Sequence, residues 1–524
     1  MSRVTLFHRL ALAALLPLFC VANAQAQTTA PATLRLDLEQ AVIAPRDDAV
    51  DLHVLIRIDG AAAPVIDPTI DDRLPLNLGL VLDTSGSMAD ARKWDYAREA
   101  AYKVIDRLST EDRLSISTYS NRAKVLAAQD DLSRPEALRS ALAALYPDGG
   151  TNISAGLKNN ARLLSFGKGD GRLTRLVLMS DGLANDGIES IDGMSALVGR
   201  MASDGTTVSA IGLGADYDEE MLRAIAQAGN GNYYYVESPS QVSTIFDQEV
   251  RGLFQTVAED LRLNLVSAPG VKADLLNDIA FAEQRFDLGT LRYDESIVLI
   301  ARFTVPRAVL GEDLDLGAVQ VSLKERETGR LILIEEPLSV RVSSDAAMVA
   351  GSQKSDVTAE RALVEIEQAE KEAAKLAAKG DYDTANTVYA TALNRLSAVT
   401  GVLEDRVSQA QLNTLAAKQQ ALTLQSQRLS EPNVDASRSV KSANQSLFYA
   451  SKGQRKLSVM QRGDKGFEIE NLQQALRREG YTVDGMEGVF DGDLETVVRA
   501  FQQDHGLKVD GIAGPATLAK LGLF

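Results

Sequence analysis

The chain has 524 residues, too many for a single hydrophobic core, so about three or four domains are expected. Its 45% hydrophobic and 24% charged residues fit a water-soluble protein, and a formal charge of −17 argues against nucleic acid as a partner.

The first residues differ in texture. Arg3 and Arg9 precede an apolar stretch from Leu10 to Ala22, which ends in Ala22-Asn23-Ala24. A basic start, a short apolar run and a small-x-small site predict a secretory signal peptide over residues 1–24, too short to span a bilayer. The alternative is an N-terminal anchor, and Pro17-Leu18-Phe19 before Cys20 disfavours a lipoprotein. Cleavage would take the formal charge from −17 to −19 and remove Cys20, the only cysteine, which excludes disulfides and thiol chemistry. No later segment reaches the length of a transmembrane helix. An exported protein with no membrane span after cleavage is expected.

Leu34, Leu36 and Leu38 then alternate with Arg35, Asp37 and Glu39, and Val50, Leu52, Val54, Ile56 and Ile58 form a second such face. This is the period of half-buried strands. Over residues 73–255 short apolar runs ("LNLGLVL", "RLSISTY", "RLVLMS", "TTVSAIGLG", "NYYYV") alternate with helical patterns around 93–108, 136–145, 153–164, 191–201 and 219–228. Such alternation predicts a parallel sheet with helices on both faces. Between Leu261 and Val342 strand alternation returns, with "ETGR" as a hairpin turn. Two early strands could not be stable alone, so residues 31–72 and 256–346 are expected to form one β-sandwich interrupted by the α/β unit. Two separate small sheets are the alternative.

Residues 355–429 are rich in Ala, Glu, Lys and Gln, and Tyr382, Ala385, Tyr389, Leu393 and Leu396 recur at helical spacing. A helical segment is expected, as a plain bundle rather than a lone tetratricopeptide-like hairpin, because repeat arrays need several units. Glu365, Glu367, Glu370 and Glu372 read as a solvated helix face. Residues 430–456 have no period and read as a linker reaching on the order of 30 Å. In residues 457–524, Val483-Asp484-Gly485-x-x-Gly488 is echoed by Val509-Asp510-Gly511-x-x-Gly514.

One group of residues points to chemistry. Asp83, Ser85 and Ser87 follow the apolar run that ends in "LGLVL", where a carboxylate and two hydroxyls are unfavourable unless satisfied. "MSDG" places Asp181 at the end of another apolar run, and "DGGTN" carries Thr151 ahead of a helix. In an open α/β sheet these strand ends are where ligands bind. Two carboxylates and three hydroxyls, with no histidine or thiol, suit a hard divalent cation: Mg²⁺ first, with Mn²⁺ or Ca²⁺ as alternatives. The acids Asp216, Asp218, Glu219 and Glu220 read as a helix start, and Tyr233, Tyr234 and Tyr235 as packing.

Residues from about Asn77 to Phe254 resemble a von Willebrand factor A-type (vWA) domain, and Asp83, Ser85, Ser87, Thr151 and Asp181 match the five protein positions of its metal-ion-dependent adhesion site. The resemblance implies a Mg²⁺ whose open position accepts an acidic side chain from a protein ligand. Residues 457–524 are similar to the three-helix peptidoglycan-binding domain of cell-wall enzymes, through Arg462-Gly463-Asp464 with Gly466, Leu472-Gln473, Phe501-Gln502, Val509-Asp510-Gly511, Gly514-Pro515 and Thr517. Asp491, Leu494 and Leu518 depart from that pattern, which puts wall affinity rather than the fold in doubt. Arg462-Gly463-Asp464 also resembles an integrin-recognition tripeptide, by coincidence given its place in the domain pattern.

The expected fold class is multidomain: an α/β vWA unit with a Rossmann-like, mostly parallel sheet inserted in a β-sandwich, then an α-helical segment and a small three-helix peptidoglycan-binding domain. Only His53 and His505 remain after cleavage, no G-x-S-x-G elbow occurs, and no zinc or serine hydrolase site can be assembled. The reading is therefore not an enzyme but an exported binding protein of the periplasm or cell envelope. It would anchor to peptidoglycan and bind a protein ligand through Mg²⁺. The alternatives are a cell-wall hydrolase or its activator, or a secretion or surface-assembly factor.

Overall fold

A computed structural model describes residues 30–62, 75–236, 256–430 and 460–523, apart from 131, 169–171, 215–216, 280, 283–284, 294, 312, 465–466 and 522. The expected signal peptide, nearly all of the expected linker, Asp216 and Gly466 lie outside the described residues.

Strands β1 (Ala32–Leu38), β2 (Val42–Ile43) and β3 (Val50–Gly60) precede the α/β unit. After it come β10 (Thr256–Ser267), β11 (Lys272–Leu275), β12 (Phe281–Ala282), β13 (Arg285–Arg292), β14 (Ser296–Val305), β15 (Asp313–Glu325) and β16 (Leu331–Val342). The two groups interleave. One sheet runs β1-β3-β14-β11 and the other β12-β13-β10-β15-β16-β2. Early and late segments thus share both sheets, and the α/β unit is an insertion. Leu52, Val54, Ile56 and Ile58 of β3 point into the common core with Leu261, Leu263, Phe303 and Val321, as the alternation predicts. The "ETGR" turn closes the β15–β16 hairpin, with Gly329 at φ 68°.

The inserted sheet has the order β6-β5-β4-β7-β8-β9. Its strands are β4 (Leu76–Asp83), β5 (Arg113–Tyr119), β6 (Ala123–Asp130), β7 (Leu173–Ser180), β8 (Thr207–Leu213) and β9 (Asn230–Val236). All pairs are parallel except β5–β6, an antiparallel edge that the sequence reading did not assign to a strand. Helices α1 (Lys93–Arg107), α2 (Pro135–Ala143), α3 (Ile153–Leu164), α4 (Ile191–Ser203) and α5 (Glu219–Ala228) cover both faces. β4 and β7 are buried along their whole length, which explains their near-continuous apolar sequences. Tyr233, Tyr234 and Tyr235 are buried in this core, and Asp218 caps α5 by accepting from the Met221 amide.

Three helices, Ser355–Ala378, Tyr382–Leu403 and Gln409–Ser430, form the following segment. The first lies on the outside of the four-stranded sheet, where Val357 and Val364 meet Leu55 and Ile300. Leu55 breaks the polar phase of β3 because this helix covers it. Glu39 ties the two together: its carboxylate lies 3.0 Å from His53 Nδ1 and accepts from Thr358 Oγ1 at 2.8 Å and Arg361 Nη2 at 3.2 Å. One expectation fails here. Glu370 is not on a solvated face but buried, and Lys418 of the third helix donates to it at 2.6 Å. A helix between two neighbours has too little free surface to keep every acid in water.

The C-terminal module has three helices, Phe467–Arg478, Gly492–Asp504 and Pro515–Lys520, around Leu472, Leu476, Phe490, Val498 and Phe501. Each echo loop is held by one buried glutamine. Gln473 donates to Met486 O at 2.9 Å and accepts from the Gly488 amide at 2.8 Å. Gln502 donates to Ile512 O at 2.8 Å and accepts from the Asp510 and Gly511 amides. The three departures from the family pattern serve the fold: Asp491 caps Gly492–Asp504 by accepting from the Leu494 amide at 2.9 Å, and Leu494 and Leu518 are buried. Among the described residues, no helix is long and apolar enough to cross a membrane.

Candidate functional site

β4 and β7 are parallel neighbours whose carboxyl ends deliver Asp83 and, one residue beyond Ser180, Asp181 to the same edge of the sheet. Both carboxylates are fully buried, an arrangement that two like charges tolerate only with strong compensation. The loop after β4 turns sharply, with the Gly86 amide donating to Gly149 O at 3.0 Å and the Asp148 amide to Thr84 O at 2.8 Å. Thr151 faces the same edge: a Cβ on Gly182, next to Asp181, would lie 3.3 Å from Thr151 Oγ1 and 3.6 Å from Ser87 Oγ. Gly149 sits at φ 84°, and a side chain there would collide with Asn121, which accepts from the Gly150 amide. On the third side Asn185 accepts from the Thr151 amide at 2.8 Å. All five oxygen-bearing residues singled out in the sequence are therefore gathered from three loops.

Their contacts separate two roles. Asp83 Oδ1 accepts from the Ser85 amide at 2.8 Å, while Oδ2 accepts from Ser180 Oγ at 2.9 Å and lies 3.1 Å from Tyr119 Oη. Burial pushes the Asp83 carboxyl up to about 6; the Ser85 and Ser180 hydrogen bonds oppose that rise and the nearby Asp181 charge adds to it. Burial also drives the Tyr119 hydroxyl well above its ordinary value, which keeps it a donor. On the open side, Ser87 Oγ donates to Asp181 Oδ1 at 2.8 Å and lies 3.2 Å from Ser85 Oγ. Ser87 is half-buried and Gly86 exposed, so the cluster reaches solvent there.

The plain explanation of Asp-x-Ser-x-Ser, a helix cap, does not hold. Ser85 precedes the short 3₁₀ turn Gly86–Arg92, yet its side chain makes no capping hydrogen bond. Its hydroxyl faces Ser87 instead. A donor set of two carboxylates and three hydroxyls fits a hard divalent ion and gives a soft metal no preferred ligand.

Sequence reasoning missed four supporting residues. Tyr119 and Ser180 hold Asp83 from behind, Asn185 holds Thr151, and Lys93 Nζ donates to Asp181 Oδ2 at 2.7 Å. Only Lys93 left a signal: a lysine at the first position of a helix opposes the helix dipole and calls for a reason. His53 and His505 lie elsewhere, the first against Glu39 and the second stacked on Phe501 with ring centroids 4.1 Å apart.

Comparison with known proteins agrees with this architecture. The family model of the von Willebrand factor type A domain matches residues 77–248, and that of a peptidoglycan binding domain matches residues 465–521. Uncharacterized protein sll0103 of Synechocystis sp. is 31% identical over 288 residues, covering 52% of this chain and 67% of that protein. Uncharacterized protein YfbK of Escherichia coli is 27% identical over 239 residues, covering 44% of this chain and 42% of that protein. Among solved structures, the von Willebrand factor type A protein from Catenulispora acidiphila has the same fold, with a TM-score of 0.56 at 17% identity over 76% of this chain and 91% of that one. The chain belongs to the family of proteins built on the von Willebrand factor type A domain and carries a peptidoglycan-binding domain at its C-terminus.

Proposed function

We propose that this is an exported protein of the cell envelope, periplasmic in a two-membrane envelope, that grips peptidoglycan with residues 457–524 and binds a protein partner through a divalent-cation site. Asp83, Ser85, Ser87, Thr151 and Asp181 would hold the ion, Mg²⁺ first. When bound, the ion supplies an open coordination position for an acidic side chain of the partner. The chain's own residues do the rest. Tyr119, Ser180 and the Ser85 amide fix the rotamer of Asp83, Asn185 fixes the Thr151 loop, and Ser87 orients Asp181.

The observation that carries the reading is the convergence of two fully buried carboxylates on one edge, beside a Ser85 hydroxyl that caps nothing. The reading is of a binding protein rather than an enzyme, because the five residues match an adhesion-type site, which presents an ion to a partner rather than a nucleophile to a substrate. The test is a pull-down from envelope extract with the full chain, in Mg²⁺ and in chelator, alongside sedimentation with purified sacculi. Partners that are retained only in Mg²⁺, with sacculus binding unchanged by chelator, are expected. Partners retained equally in chelator would overturn the metal-dependent part.

A further inference from the structure

Lys93 is 7% exposed, and its ammonium donates to Asp181 Oδ2 at 2.7 Å. Three features make that position unfavourable on its own. An ammonium is withdrawn from water. The lysine opens α1, where the helix dipole repels a cation. The two residues that aim it, Ala91 (φ 49°, ψ 25°) and Arg92 (φ 61°, ψ 24°), are both left-handed without being glycine. Consecutive strained residues of this kind persist where the surroundings over-determine them, and functional sites are where they collect. The side chain passes the end of β8 within van der Waals reach of Gly214, where a Cβ would lie 3.6 Å from Lys93 Cε. The compensation for all of this is the carboxylate of Asp181.

We propose that Lys93 is a built-in competitor of the divalent ion, a positioning residue that sets how tightly the site holds its metal. This rests on the metal reading above and deepens it. With Asp83 and Asp181 ionised and Lys93 charged, the cluster presents a net charge of about −1, against about −2 without the lysine. A divalent ion therefore meets half the counter-charge, and must share Asp181 with an ammonium on its second oxygen. Lys93 weakens metal binding and leaves the loaded site one charge more positive, which favours an acidic partner. A purely structural lysine would predict the opposite, because its loss would disorder Asp181 and weaken the metal.

The test is a Mn²⁺ titration by calorimetry of the full chain as wild type, Lys93→Met, Lys93→Arg and Asp83→Ala. The Met variant should bind Mn²⁺ about tenfold or more tighter, because removing a unit charge beside the ion lowers the repulsion it meets. The Arg variant, which keeps the charge, should stay within about threefold of wild type. Unchanged or weaker binding by the Met variant, with wild type binding and Asp83→Ala not, would overturn the competitor role alone. Absence of Mn²⁺ binding in both wild type and the Met variant would overturn the metal reading and this inference with it. If the Met variant unfolds in chelator, Trp94 reports its recovery, being the only tryptophan, buried and adjacent to position 93. Refolding below the wild-type Kd for Mn²⁺ supports the proposal; no refolding at tenfold above it overturns it.

Discussion

Two regions of this protein hold loops together with buried polar side chains, and they do so in opposite ways. In the C-terminal module Gln473 and Gln502 are neutral amides whose oxygen and nitrogen each find backbone partners in an echo loop. At the edge of the inserted sheet, Asp83 and Asp181 are carboxylates, both fully buried, and the Asp181 charge adds to the rise that burial causes in the Asp83 pKa. A neutral network that is fully paired asks for nothing further and acts as structure. A charged one, in which the Lys93 ammonium faces a pair of carboxylates, retains a demand for cation. The difference separates a scaffold from a site.

The largest effect that would break this contrast is on the charged side. Asp83→Ala removes one of two carboxylates, so Mn²⁺ affinity should fall by about 100-fold or more while the domain stays folded, because like-charge repulsion with Asp181 is relieved. Calorimetry of variant and wild type measures it, and equal curves would erase the distinction. Sacculus binding should not change.

On the neutral side, Gln502→Leu strands the Asp510 and Gly511 amides and Ile512 O, and should destabilise the isolated 457–524 fragment by about 3 kcal/mol. Gln473→Leu strands fewer groups and should cost about half as much. Thermal melts with and without Mn²⁺ check both, and no metal effect is expected. The unaltered fragment should fold alone and sediment with sacculi; a folded fragment left in the supernatant would mean that the module has kept its structure and lost its ligand.

A mixed case sharpens the comparison. Burial alone would raise the pKa of Glu39, yet the His53 hydrogen bond and the Arg361 charge outweigh it and hold the carboxyl below its ordinary value. A depressed carboxyl contributes stability that is whole above its unfolded-state pKa and is lost as pH falls through the lower folded one. Glu39→Gln should therefore loosen helix Ser355–Ala378 from the sandwich by about 1 kcal/mol at neutral pH and by less in acid. Hydrogen exchange of that helix at two pH values reads the effect. The smallest change is Asp491→Ala, which removes a helix cap and should lower stability by about 1 kcal/mol without altering sacculus binding. Loss of binding at unchanged stability would instead make Asp491 a contact with the wall.

Much of this was legible in the residues. Strands β4, β7 and β8 announce themselves because a sheet covered on both faces is apolar along its length, and Asp83, Ser85, Ser87 and Asp181 stand out because polar oxygens end those runs. The insertion of one unit in another was legible too, since strand periodicity is local and survives interruption. What local patterns could not carry was the edge strand β6, whose "AKVLAAQD" lacks clean alternation and whose pairing with β5 contains register shifts. Nor could they carry Leu55 or Glu370, each buried by an element far away in the chain.

The sequence by itself singled out five oxygen-bearing residues as candidates, because the chemistry of their side chains does not depend on where they lie. Only the tertiary structure decided which of them are buried, what holds each rotamer, and that an ammonium 88 residues from Asp181 shares its carboxylate. That last contact depends on two strained residues turning the chain before α1, which is not visible in a pattern of residue types. Composition records charges, but the low dielectric and fixed distances that give charges their strength come from packing.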